Sequence, residues 1–222
     1  MRKPTPRTRM KALACALGAG VMLVAGSAGA SAGSEQAPPE MGIQYYPDGD
    51  AGQCAGPQQQ WKAAPDWTTP IRFDTDNRPG GCQLSLGIYD QSNVLSGLSA
   101  TYSWAPSPGG DGGQCGNQGT YALPITQFQA LGPNIRVDTD GRPGWCNLTL
   151  TLAGRNDVAL DVQYWADGDA GQCPGALPRG QYRTASAGNP VTVSIDADGR
   201  SGGCQLELRL RRVGWKASSA VK

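Results

Sequence analysis

The 222-residue sequence contains no histidine. That one absence removes Ser-His-Asp and Cys-His nucleophilic catalysis and the commonest transition-metal ligand. Runs of strong helix formers are also missing, because 32 glycines and 17 prolines break the chain into short pieces. Such a composition excludes a helical bundle and favours many strands joined by turns. Nor is there a surplus of positive charge: 19 Lys and Arg stand against 18 Asp and Glu, so no basic nucleic-acid footprint is present and no nucleic-acid partner is expected. Beyond residue 32 no stretch approaches the ~20 apolar residues of a transmembrane helix, so no membrane insertion is expected.

What the N-terminus does contain is a secretion signal. Arg2, Lys3, Arg7, Arg9 and Lys11 precede a small-residue apolar core from Ala12 to Ala25, and the AGASA that follows offers cleavage after Ala30 or Ala32. Cys15 lies ahead of that core rather than behind it, which is the wrong side for a lipid-anchored cysteine. A signal peptide over 1–32 makes the protein secreted and extracellular. Its removal takes five positive residues and turns the formal charge from +1 to −4.

The remainder is repetitive. DAGQC (Asp50 to Cys54), DGGQC (Asp111 to Cys115) and DAGQC (Asp169 to Cys173) recur at intervals of 61 and 58 residues. Each is followed by a second phrase: FDTDNRPGGCQLSLGIYD from Phe73, VDTDGRPGWCNLTLTLAG from Val137 and IDADGRSGGCQLELRLRR from Ile195. Self-similarity at a fixed period governs the fold reading. A flexible segment over 33–41 precedes a β domain over 42–213, with copies at about 42–98, 99–159 and 160–213, and a tail follows over 214–222. With Cys15 removed, two cysteines remain per copy. The within-copy pairing, Cys54 with Cys82, Cys115 with Cys146 and Cys173 with Cys204, is the simplest of the fifteen possible.

Period-two alternation marks the strands. Ile71 and Phe73, Ile135 and Val137, and Val193 and Ile195 alternate with polar residues before each turn. After it run Leu84, Leu86 and Ile88; Leu148, Leu150 and Leu152; and Leu206, Leu208 and Leu210. The spacing predicts three hairpins, each with one buried face that includes the closing cysteine. A first strand opens each copy at Ile43, Thr101 and Val162, and the piece after each DxGQC block has room for another. About 58 residues bury too little surface to be comfortably stable alone. Apolar residues between the copies, such as Leu95, Leu98 and Val158, favour a shared core. The expected fold is therefore all-β, three disulfide-bonded antiparallel units arranged about a pseudo-threefold axis in a trefoil-like or prism-like body; the alternative is three tandem small sandwiches.

Without histidine or a free thiol, carboxylates are what remain for catalysis. Asp74 with Asp76, Asp138 with Asp140 and Asp196 with Asp198 stand two apart, near the lower spacing a glycosidase pair needs. Turn chemistry explains the second Asp of each pair more simply. Asp48-Gly49-Asp50 and Asp167-Gly168-Asp169 resemble the start of a calcium loop, but no copy supplies the distal Glu, so no metal and no cofactor is assigned. The ligand-binding candidates are Tyr46, Trp104 and Trp165, read as the aromatic ends of the first strands, with Asp50, Asp111 and Asp169 in the loops that follow. Aromatic faces beside Asp, Gln and Gly suit a sugar. The sequence reading is a secreted, non-enzymatic binding protein with up to three sites for a surface glycan. A binder of extracellular proteins, such as a hydrolase inhibitor or assembly subunit, is the rival, and a carboxylate glycosidase is third.

Overall fold

The computed structural model describes residues 36–49, 54–74, 80–138, 144–168, 173–196 and 202–212. The expected signal peptide and the whole of the expected tail lie outside the described residues, as do the tips of the three turns and two of the three DxGQC loops. The protein is all-β. Its strands are β1 Glu40–Pro47, β2 Cys54–Ala55, β3 Gln59–Ala63, β4 Ile71–Asp74, β5 Gly81–Tyr89, β6 Ser99–Pro106, β7 Cys115–Gly116, β8 Gly119–Ala122, β9 Ile125–Thr126, β10 Ile135–Asp138, β11 Trp145–Ala153, β12 Val158–Ala166, β13 Arg183–Ala185, β14 Val191–Asp196 and β15 Gly203–Arg212. They form three sheets. The first runs β3-β1-β5-β10-β7 with β9 parallel to β5; the second runs β13-β12-β15-β4-β2; the third runs β14-β11-β6-β8. Among the described residues no helix is long and apolar enough to cross a membrane.

The expected hairpins are not hairpins. The arm before each turn does not pair with the arm after it. Instead β4 pairs with β15, β10 with β5 and β14 with β11. Each of these strands leaves its own cysteine strand and joins a sheet built largely by another copy of the repeated phrase. Three self-contained modules would keep every ladder within one copy, and this pairing does not.

The double glycine of the phrase explains how the exchange fits. Gly80, Gly144 and Gly202 have φ of 110°, 95° and 106° and supply the left-handed turn. The residue after them meets the incoming strand. A Cβ on Gly81 would lie 2.5 Å from the Val137 carbonyl oxygen, and one on Gly203 would lie 2.4 Å from that of Phe73. The second glycine is therefore there for close backbone approach, not for the turn. In the third sheet Trp145 holds this position, half-exposed, opposite Asp196.

Alternation behaves as expected within the long strands: β11 and β15 bury Leu148, Leu150 and Leu152, and Leu206, Leu208 and Leu210, in one continuous core with the inward residues of all three sheets. The three expected disulfides are present, each with its Cα atoms 5.7 Å apart. Cys54–Cys82 ties the second sheet to the first, and Cys115–Cys146 ties the first to the third. Three core aromatics make matching ties. Tyr45 Oη donates to the Arg72 carbonyl at 2.8 Å, Trp104 Nε1 to that of Arg136 at 3.1 Å, and Tyr164 Oη to that of Ser194. Each ring thus reaches from its own sheet to the backbone of the strand its own copy has sent elsewhere. The ordered strand β1 begins at Glu40 and Met41 is fully buried, so the β body starts two residues ahead of the expected boundary at 42.

Candidate functional site

Strand β1 alternates Ile43 and Tyr45 into the core with Gln44 and Tyr46 outward, and Asp48 follows its end. On that outer face Gln44, Tyr46, Pro47, Gln58 and Gln59 line an open groove of about 380 Å³, within the size range of small-molecule sites. The Tyr46 ring is half-buried, and its hydroxyl is fixed by Asn134 Nδ2 at 2.7 Å. The wall carrying Gln58 is set by backbone: Tyr45 N–H donates to the Gln58 carbonyl at 2.8 Å. An aromatic face and three primary amides thus share one concave surface.

Beside the groove, Asp48 accepts from Gly81 N at 2.8 Å, from Gln83 Nε2 at 2.6 Å and from both Nε and Nη2 of Arg136. Burial alone would raise the Asp48 pKa. The Arg136 guanidinium and the Gln83 and Gly81 donors outweigh it and hold the carboxyl below its ordinary range. Asp48 is therefore a fixed anion that clamps β10 to the end of β1. It is committed to structure rather than offered to calcium.

The same set is assembled a second time on the second sheet. Gln163 and Trp165 occupy the core-averted positions of β12, Asp167 follows its end, Gln205 Nε2 donates to Asp167 at 2.6 Å, and Arg72 Nε from the incoming β4 donates at 2.8 Å. This copy is closed. Trp165 is only 7% exposed and the Arg179 guanidinium lies 5.4 Å over its ring. In the third sheet the equivalent positions are Ala105, Ser107, Asn147 and Ser194, with neither ring nor charge; Ser107 Oγ accepts from Trp145 N, and Ser194 Oγ donates to Asn147 at 2.7 Å.

The expected trio of aromatic ends is thus not one set. Pairing places Trp104 opposite Leu148, as Tyr45 is opposite Leu84 and Tyr164 opposite Leu206. Trp104 belongs with the inward tyrosines, 1% exposed and hydrogen-bonded to backbone, and offers no face to a ligand. One residue of slip moves a side chain to the opposite face of a sheet. Asp111 is exposed, and its Oδ1 accepts from Gly113 N at 2.7 Å, capping a short 3-10 turn at Gly112–Gln114. Asp50 and Asp169 lie outside the described residues, as do Asp76, Asp140 and Asp198. Among the described residues no group of three or more His, Cys, Asp or Glu side chains is placed to hold a metal.

Gln44, Gln58 and Gln59 were not among the sequence candidates. Gln44 has a legible signal, since it stands two residues before Tyr46 as Gln163 does before Trp165, and period two puts both pairs outward. Gln58 and Gln59 come from the variable piece, which carries no repeated phrase. No protein-family profile, curated protein or solved structure matches this chain.

Proposed function

We propose that this is a secreted, non-enzymatic protein that binds carbohydrate through the groove at Tyr46. The observation that carries the reading is the groove's lining: a half-exposed aromatic ring beside Gln44, Gln58 and Gln59, with its own hydroxyl fixed by Asn134. A sugar ring presents an apolar face and a rim of hydroxyls. An aromatic platform and amides that both donate and accept answer that pattern. The three disulfides are consistent with an extracellular setting.

On the same reading the closed exchange of strands, β4 to the last copy and β10 and β14 each to the preceding one, is a pseudo-threefold body of three repeats, prism-like or trefoil-like. The repeats then hold one open site rather than three, because the third copy is capped by Arg179 and the second lacks the residues. A glycan array probed with the mature protein, followed by calorimetry on the best hit, tests this. Tyr46→Ala should weaken binding at least about tenfold with an unchanged melting temperature. Full affinity in Tyr46→Ala would remove the groove from the function, and hydrolysis of the bound glycan would make the protein an enzyme.

A further inference from the structure

A second cluster lies on the outer face of the second sheet, apart from the Tyr46 groove on the first. At its centre is Asp161 of β12, whose side chain is fully buried. Its carboxylate accepts from Thr184 Oγ1 at 2.8 Å, from Arg209 Nε and Nη2 at 3.1 and 2.7 Å, and from Arg211 Nε and Nη2 at 3.1 and 3.4 Å. Burial would raise Asp161, but the Arg211, Thr184 and Arg209 bonds outweigh it and keep the carboxyl ionised well into acid. Two guanidiniums therefore share one negative charge, leaving a net positive charge fixed at the surface.

Both arginines are held by Nε and Nη2, so Nη1 of each is left without a partner among the described residues. Two rings wall the cluster. The Arg209 guanidinium carbon sits 4.3 Å from the Trp67 ring centre and 5.0 Å from that of Tyr182, and the rings meet edge to face at 5.6 Å. Trp67 is anchored through its neighbour: Thr68 N donates to the Leu208 carbonyl at 2.9 Å and Leu208 N to Thr68 Oγ1 at 3.0 Å. Tyr182 is 44% exposed, and the Arg211 side chain is 37% exposed.

We infer that this cluster is an anion-binding site whose occupant is a carboxylate-bearing sugar, a uronate unit of an acidic polysaccharide. Charge complementarity selects the anion: the two guanidiniums carry one positive charge more than Asp161 neutralises, and their Nη1 donors, which Asp161 does not use, can hydrogen-bond a carboxylate. The Tyr182 and Trp67 walls select a ring over a bare ion. The identity of the ring as sugar rests on the carbohydrate reading above; the anion site does not.

The test is calorimetry on the full mature chain with tetragalacturonate, its methyl ester and a tetraglutamate peptide, at 20 mM and 500 mM NaCl. Tetragalacturonate should bind at least about tenfold more tightly than its neutral ester at low salt, and the gap should narrow at high salt. Arg211→Gln should remove the preference for the acid while leaving affinity for the ester in place, in a protein that melts cooperatively at a lower temperature because Asp161 keeps Arg209 and Thr184, and Arg211→Lys should keep part of the preference. Tyr182→Ala, on an exposed ring, should weaken both sugars. Equal binding of acid and ester, an acid preference that survives Arg211→Gln in a folded protein, or no binding of any probe would each overturn the proposal. Tetraglutamate bound in an Arg211-dependent way with neither sugar bound would overturn the sugar and the carbohydrate reading together, whereas ester bound without acid preference overturns this site alone.

Discussion

Replacing Gly203 by alanine isolates the strand exchange from every other feature of the fold. Gly203 is the first residue of β15 and pairs with Asp74 of β4. The new methyl would lie 2.4 Å from the Phe73 carbonyl oxygen and 3.0 Å from Arg72 Nε. Its closest neighbour is backbone, so relief requires β4 to move off β15 by several tenths of an ångström or more. Overpacking of this kind costs about 1–3 kcal/mol, and loosening one or two ladder hydrogen bonds adds about 1 kcal/mol each. Alanine returns about 0.4–1 kcal/mol by restricting the unfolded chain. The net expectation is a loss of about 2–3 kcal/mol. For a chain of this size that is a fall of roughly 5–10 °C in melting temperature. Guanidinium titration followed by tryptophan fluorescence, with thermal melts alongside, measures it. A change below about 0.5 kcal/mol would mean that β4 does not lie where the pairing puts it. Gly81→Ala, which meets the Val137 carbonyl at 2.5 Å, should behave the same way.

Asp161→Asn removes the one negative charge between Arg209 and Arg211. It should cost about 3 kcal/mol, the low end for a severed buried pair because Arg211 reaches solvent. A pKa held below its unfolded value means that the wild-type contribution of Asp161 is complete above about pH 4 and lost as pH falls through the folded value; acid titration of both proteins should therefore show their stabilities converging only below pH 4. The isolated segment Leu160–Val213 should be unfolded by circular dichroism even with its disulfide intact, since β15 loses β4 and β14 loses β11; a folded fragment would restore the tandem-module alternative. Reduction of all three disulfides should abolish a cooperative melt near physiological temperature, because closing loops of 28, 31 and 31 residues contributes about 3.6 kcal/mol each on the entropy estimate, against a typical domain stability of ~5–15 kcal/mol.

How much of this was legible depended on the range of the information. Alternation and cysteine spacing are local, and they yielded the all-β class, the inward leucines and all three disulfides. The exchange of β4, β10 and β14 is not local. A turn of Arg-Pro-Gly-Gly between two apolar-alternating arms reads the same whether the arms pair with each other or with strands more than forty residues away. The clue was the second glycine. A turn needs one residue with positive φ, and Gly80 and Gly202 supply it, so Gly81 and Gly203 were left without a local reason.

Aromatic matching and strand alternation give different answers for Trp104. Tyr45-Tyr46 and Tyr164-Trp165 each offer two adjacent aromatics, one per face, whereas the second copy offers Trp104 alone after Tyr102. Matching Trp104 to Tyr46 aligns aromatic with aromatic at the strand end. Following the alternation instead, Ala100, Tyr102 and Trp104 lie on one face and Thr101, Ser103 and Ala105 on the other, and the apolar set must be the buried one. Ala105 then stands where Tyr46 and Trp165 stand, and Ser107 where Asp48 and Asp167 stand. The third sheet lacks the ring, the carboxylate and the arginine together, since Ser194 of the incoming β14 stands where Arg136 and Arg72 stand at the other two junctions. Those changes are coupled by charge: an arginine arriving without its aspartate, or the reverse, would leave an ion unpaired at a half-buried strand crossing. The neutral junction of Ser107, Asn147 and Ser194 keeps the crossing satisfied, and it leaves Tyr46 as the one half-exposed ring among the three equivalent positions.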